Sequence, residues 1–283
     1  MTQPARKALA GNVAAAIGSE KAVGAILDHL TAGLCSALRG NLVGIYVYGS
    51  LIAGDFDAAI SDIDLVVVLR KPLDEARFAA LQQLHQDVVR DRREWQDRLE
   101  LAYISRRSLR RFRSETSTIG IISPGEPFHL VQAGSDWLIS WHALREDGVA
   151  LLGPPIESLV DPISARDYLR AVREHIEGYR DMDTAAANAA MLSYTTLTVA
   201  RGLFTLRHGE PTSKIKAAAW AQDAFPHWSP LIQLALAWRV DASQAPHSLD
   251  AAARCVASFV DEMLANMPEL EDSSRTERVM QQS

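Results

Sequence analysis

Cysteine is nearly absent from this 283-residue chain: Cys35 and Cys255 stand alone, without the paired spacing of a zinc ligand set. Neither a disulfide framework nor a structural metal is expected, and a reducing, cytoplasmic setting is the simplest reading. A run of about 18 apolar residues is also missing, as is a charged-then-apolar leader, so neither a membrane span nor an export signal is expected. Positive charge is not in excess. The formal net charge is −6 and the sequence pI about 5.8, which disfavours a general nucleic-acid binder and mildly suits a cationic small molecule. Eight histidines lie scattered without metal-ligand spacing. No nucleophile elbow or glycine-rich dinucleotide fingerprint appears, which removes the signatures of two large enzyme classes.

What is present is concentrated in one stretch: Tyr48-Gly49-Ser50, eleven residues, then Asp62-Ile63-Asp64-Leu65-Val66-Val67-Val68. The apolar run Leu42 to Val47, broken by Gly44, predicts a buried strand ending in a Gly-Ser turn. A helix starting there would aim free backbone N–H groups at an anion such as phosphate. Residues 60–69 predict a second strand, so Asp62 and Asp64, two apart, share one face and repel. A hard divalent cation relieves that repulsion, and Mg²⁺ takes oxygen ligands from one or two carboxylates plus substrate phosphates. A third acid would allow two ions, roughly 3.5–4 Å apart, to flank a displacement at phosphorus. Glu100, in the strand-like run Leu99-Glu100-Leu101-Ala102-Tyr103-Ile104, is the candidate; the alternative is a charge on an edge strand facing water.

These residues resemble the nucleotidyltransferase superfamily of polymerase-β-like enzymes, and more closely the aminoglycoside adenylyltransferases that act on streptomycin and spectinomycin. Gly49-Ser50, Asp62, Asp64 and Glu100 match the superfamily's glycine-serine turn, metal aspartates and third carboxylate. Leu151-Leu152-Gly153-Pro154-Pro155, Asp161-Pro162, Ala200-Arg201, Ser213-Lys214 and Ala217-Ala218-Ala219-Trp220-Ala221 resemble that family's helical C-terminal domain. The resemblance implies ATP and Mg²⁺, with Asp62, Asp64 and Glu100 binding metal and Glu100 acting as base toward an acceptor hydroxyl. It further implies phosphate contacts from Gly49, Ser50, Arg201 and Lys214.

The expected fold is α+β: an N-terminal mixed-sheet nucleotidyltransferase domain flanked by helices (1–147), an all-α helical bundle (148–268), and a polar tail (269–283). Residues 20–39 predict a helix with Val23, Ile26, Leu27, Leu30, Leu34 and Leu38 facing the core; residues 74–97 predict another bearing Phe78, Leu81, Leu84, Val88 and Trp95. The order is αβαβαβ. Strand signals stop near 145, where Gly148, Gly153, Pro154 and Pro155 punctuate the change.

Residues 189–206 are apolar or small almost all round and so predict a buried helix, yet they contain Arg201. A buried arginine needs an anionic partner, either a structural carboxylate or a ligand phosphate. In the next helix, capped by Thr212 or Ser213, Lys214 and Lys216 fall in the first turn, where positive charge opposes the dipole and calls for an anion.

Substrate recognition departs from the family pattern. Counting back from Arg201, this chain has Met182, Ala187 and Met191 where the streptomycin-type enzymes carry a tryptophan and acids, and these three cannot pair with ammonium groups. Asp181 and Asp183 lie nearby as loop acids. The substrate-binding set is therefore unknown. Trp137 and Trp141 suit a helix packing face. The cluster Arg106-Arg107-Ser108-Leu109-Arg110-Arg111-Phe112-Arg113 is a solvated helix face or a contact for RNA phosphates or an acidic partner. The expected protein is a monomeric, cytoplasmic, Mg²⁺-dependent enzyme that joins AMP from ATP to a hydroxyl of a small molecule, foremost an aminoglycoside-type antibiotic, and so confers resistance, with release of pyrophosphate. Its rivals are a regulatory or antitoxin-type nucleotidyltransferase acting on protein or RNA, and an idle nucleotide-binding homologue.

Overall fold

In the computed structural model, residues 21–182, 187–245 and 248–270 are described, and the chain divides into two units at Ile163/Ser164. The first unit begins with α1 (Lys21–Leu38), whose buried residues Val23, Ile26, Leu27, Leu30, Leu34 and Leu38 are those expected from the periodicity. It continues with β1 (Leu42–Tyr48), the single turn α2 (Ser50–Ala53), β2 (Ile63–Leu69), α3 (Glu75–Asp91), β3 (Leu99–Ser105), α4 (Arg106–Arg111), β4 (Ser117–Ser123), β5 (Glu126–Ala133), α5 (Leu138–Asp147) and β6 (Val149–Leu152). The predicted helix over 74–97 closes at Asp91; Trp95 sits instead in a separate 3-10 turn, where it is buried.

The six strands lie in the order β5-β4-β3-β2-β1-β6. The β2–β3 pair is parallel and every other pair antiparallel, so the sheet is mixed. Alternation along the strands sorts side chains to two faces. Ile45, Val47, Ile63, Leu65, Val67, Leu69, Leu99, Leu101 and Tyr103 join the α1 and α3 residues in one apolar core. Such burial is the main source of stability, with each fully buried Leu or Ile contributing about 2–3 kcal/mol. The opposite face carries Tyr46, Tyr48, Asp64 and Glu100, and α5 packs on β1 there, with Ser140 bonded to Tyr48 and Trp141 and Leu144 buried. The Tyr46 hydroxyl donates to the Pro154 carbonyl oxygen at 2.8 Å, which fixes the segment after β6 to this face.

The expected boundary at 147/148 differs from the observed one because Val149–Leu152 adds to the sheet edge, with Val149 opposite Val47 and Ala150 opposite Tyr46. Strand structure thus continues past 145. Four residues alternating between half-buried and exposed are too few to register as a strand from sequence.

The second unit is helical: α6 (Ala165–Glu177), α7 (Ala189–His208), α8 (Lys214–Ala224), α9 (Ser229–Val240) and α10 (Asp250–Ala265). The central helix α7 is contacted by all four others, which is why it can be apolar or small around its circumference. Asn188 caps its N-terminus by accepting from the Met191 N–H at 2.9 Å, and Gly209 closes it at φ 78°. No helix among the described residues is long and apolar enough to cross a membrane. Most of the expected tail, from 271 onward, lies outside the described residues.

Candidate active site

Sheet register assembles the first group of candidate residues. Tyr48 at the end of β1 lies opposite Asp64 in β2, and Asp64 lies opposite Glu100 in β3. Side chains at facing positions of neighbouring strands project to the same face. Tyr48, Asp64 and Glu100 therefore form one cross-strand row. Asp62, two residues before Asp64, precedes β2 on the same side; Asp62, Asp64 and Glu100 are all half-buried. Because β3 is interior to the sheet, the edge-strand alternative for Glu100 is removed.

Tyr48 is only 8% exposed. Burial pushes its phenol well above the ordinary value, the charges of Asp64 and Glu100 push it further, and a hydrogen bond with Ser140 opposes them. It stays a neutral phenol among carboxylates. The Glu100 strand and the Asp62 loop are joined by Arg98, whose Nη2 donates to the Ser61 carbonyl at 2.7 Å and the Ala58 carbonyl at 2.8 Å. The Arg98 guanidinium also lies 4.6 Å from the Trp95 ring centre. Sequence reading quoted Tyr48 in its leading motif without giving it a role, and passed over Arg98. The pairing of Tyr48 with Asp64 was available only by aligning the two strands, and Arg98 carries no local signal.

The turn after β1 is held by Gly49, at φ 72° and ψ −149°, a conformation almost confined to glycine. A Cβ at this position would stand 2.0 Å from Asp64 Oδ2. The missing side chain is what lets the turn lie against the carboxylate. Ser50 opens α2, a helix of one turn in which the Ile52 and Ala53 N–H groups both donate to the Gly49 carbonyl. The donors here are hard carboxylate oxygens on adjacent backbone, which fits Mg²⁺. Among the described residues no three acids, histidines or cysteines form a ready-made metal cage. Mg²⁺ does not require one, since phosphate oxygens and water complete its shell.

In the second unit, Arg201 on α7 is half-buried rather than buried. No ion pair of Arg201 is found among the described residues, so the structural-carboxylate alternative has no partner there. Burial raises the pKa of Tyr179, neighbouring Tyr194 adds to the rise, and Arg201 opposes it. Lys214 Nζ lies 4.6 Å from the centre of the Tyr194 ring. Lys214 thus lies against Tyr194, 48% exposed and not singled out by sequence reading, while Arg201 and Tyr194 both act on Tyr179. Ser213 caps α8 by accepting from the Lys216 N–H at 3.2 Å. Met182 and Met191 are half-buried, with Met182 Sδ accepting from Thr195 Oγ1 at 3.3 Å; Ala187 is half-buried, Asp181 exposed, and Asp183 outside the described residues. Trp141 is fully buried, its ring stacked on Trp137 with centres 5.4 Å apart, as a packing face requires.

Each half of the chain matches a known family. Residues 32–119 match the family model described as "Nucleotidyltransferase domain", and residues 158–266 match "Aminoglycoside adenylyltransferase, C-terminal domain". The chain is therefore a nucleotidyltransferase-type enzyme with a helical C-terminal domain. Within that class it is aminoglycoside adenylyltransferase-like. It is 25% identical over 219 residues to the aminoglycoside (3'') (9) adenylyltransferases of Klebsiella pneumoniae and Escherichia coli, covering 69% of this chain and 77% and 76% of theirs. The spectinomycin adenyltransferase of Enterococcus faecialis, solved with ATP and spectinomycin, shares the fold with a TM-score of 0.67 at 19% identity. That match spans 85% of this chain and 98% of the other.

Proposed function

We propose that this protein transfers AMP from ATP to a hydroxyl of an aminoglycoside-type antibiotic, with release of pyrophosphate, as a cytoplasmic enzyme. The observation that carries the reading is the cross-strand row of Asp64 and Glu100 against the side-chain-free turn at Gly49, in a chain whose second domain is adenylyltransferase-like. Asp62 and Asp64 would hold Mg²⁺, which would neutralise phosphate charge and stabilise the oxygens at phosphorus. Gly49 and Ser50 bring backbone close to the phosphates, and Arg201 and Lys214 supply positive charge to them. Glu100 accepts the proton of the acceptor hydroxyl as its oxygen attacks the α-phosphorus, and the bond to pyrophosphate breaks. Cys35 and Cys255 are both free thiols, which suits a reducing compartment.

The test is to incubate the purified protein with Mg²⁺-ATP and a panel that includes streptomycin, spectinomycin and hygromycin, measuring pyrophosphate and the drugs' masses. A gain of one AMP on any drug supports the reading. Absence of transfer to every drug, with ATP still bound, would move the acceptor to another small molecule, a protein or an RNA. The apolar Met182, Ala187 and Met191 favour that second reading.

A further inference from the structure

At the far ends of β2 and β3 from the carboxylates, five arginines converge. Arg70 follows β2, while Arg106, Arg107, Arg110 and Arg111 lie on α4 directly after β3; together they line a hollow of about 260 Å³. Leu69 and Ser105, the last residues of the two strands, face each other in register, so Arg70 and Arg106 start from neighbouring positions. Six residues of extended strand put Arg70 about 20 Å from Asp64. The hollow is therefore remote from the carboxylate row.

The backbone that carries these arginines is firmly held. The Arg70 N–H donates to the Asn41 carbonyl at 2.8 Å. The buried Asn41 side chain brackets Lys71, donating to its carbonyl at 3.1 Å and accepting from its N–H at 3.0 Å. Ser105 caps α4, accepting from the Ser108 N–H at 3.0 Å, and its hydroxyl meets the Ser108 hydroxyl at 2.8 Å, both residues being buried. The charge is poorly balanced. Among the described residues the only carboxylate found paired with any of the five is Glu115, on Arg111, while Arg110 donates to the Ser158 carbonyl at 2.8 Å. Guanidinium groups remain charged at any accessible pH, so their convergence is repulsive until an anion enters.

We propose that this hollow is a second anion site, which binds a free polyphosphate: inorganic pyrophosphate or the triphosphate of a nucleotide. Guanidinium forks match phosphate oxygens in pairs, and a di- or triphosphate offers several such edges with enough charge to offset several arginines. A nucleic acid fits less well. The lining has no aromatic side chain on which a base could stack. A long polyanion would also run beyond the patch onto a chain of net charge −6.

Equilibrium dialysis of the full chain with labelled inorganic pyrophosphate in EDTA tests this, because without Mg²⁺ the carboxylate row repels the probe. Binding of one pyrophosphate per chain is expected. It should survive in an Arg201→Ala/Lys214→Ala chain and weaken about tenfold or more in an Arg70→Gln/Arg107→Gln chain, since charge-assisted contacts of this kind are being removed. An unchanged melting temperature and unchanged Mg²⁺-ATP turnover in the arginine variant would show that the fold is intact. Displacement of the probe by ATP at lower concentration than by pyrophosphate identifies the nucleotide as the ligand; the reverse identifies the free anion. The proposal is overturned if no pyrophosphate binds in EDTA, or if the arginine variant binds it as wild type does. It is equally overturned if a 20-base-pair RNA duplex binds the same arginines more tightly than either phosphate.

Discussion

Replacing Gly49 with alanine strikes the closest approach in the candidate site. Two effects act. The backbone at φ 72°, ψ −149° lies near a region that L residues seldom occupy, and holding alanine there costs about 1–3 kcal/mol. The new Cβ would also stand 2.0 Å from Asp64 Oδ2 and 2.8 Å from Asp64 Cγ, so carboxylate and turn must separate by more than 1 Å, to the 3.4 Å of ordinary van der Waals contact. A displacement of that size in a catalytic constellation lowers turnover about 10²-fold. Gly54 provides the control, since it also has positive φ (78°) but nothing lies within 4 Å of a Cβ placed on it. Gly54→Ala should lose about 1–2 kcal/mol of stability from the backbone alone and keep most of its activity. Urea denaturation gives the stability change and pyrophosphate release with a competent acceptor gives the turnover. Comparable activity losses in the two variants, or full activity in Gly49→Ala, would refute the argument that the missing side chain serves the Asp64 carboxylate.

Glu100→Gln keeps the shape of the side chain but cannot accept a proton, so transfer should fall about 10²–10⁴-fold with little change in ATP binding, as measured by single-turnover kinetics beside equilibrium titration. Arg201→Ala should raise the KM for ATP about tenfold or more through the loss of one charge-assisted phosphate contact, and steady-state kinetics over a range of ATP concentrations checks it. His85 supplies a pH dependence. Its Nε2 lies 2.8 Å from the Tyr103 hydroxyl, and burial lowers its pKa from 6.5 to about 4. The unfolded chain therefore takes up this proton first as pH falls, so the neutral imidazole's contribution is intact above pH 6.5, declines toward pH 4 and is gone below it. The loss is about 3 kcal/mol. His85→Gln, which keeps a partner for Tyr103, should show a flatter decline in urea midpoint from pH 7 to pH 4.5, and an unchanged slope would count against the assignment.

Legibility in this sequence follows the length scale of the interaction. The core face of α1 could be read residue by residue because helix periodicity repeats over five turns, and β1, β2 and β3 could be read because each is a mostly apolar run. The short or two-sided strands were not found. The β4–β5 hairpin turns at Pro124-Gly125, with Gly125 at φ 78°, a turn signal present in the sequence and passed over; β6 has only four residues and offered none. The candidate site divides in the same way. Asp62 and Asp64 share a face by simple alternation, whereas the facing of Asp64 by Glu100 and Tyr48 is a property of register, fixed by which strands pair and how far they slide. Tyr194 marks the limit of such reading. In α7 it falls three residues after Met191 within a helix buried nearly all round, so nothing local distinguishes it from a core aromatic. Only the packing of α8, which sets Lys214 above its ring, turns it into part of a cationic surface. A side chain whose role is created by a neighbouring helix has no signature in its own helix.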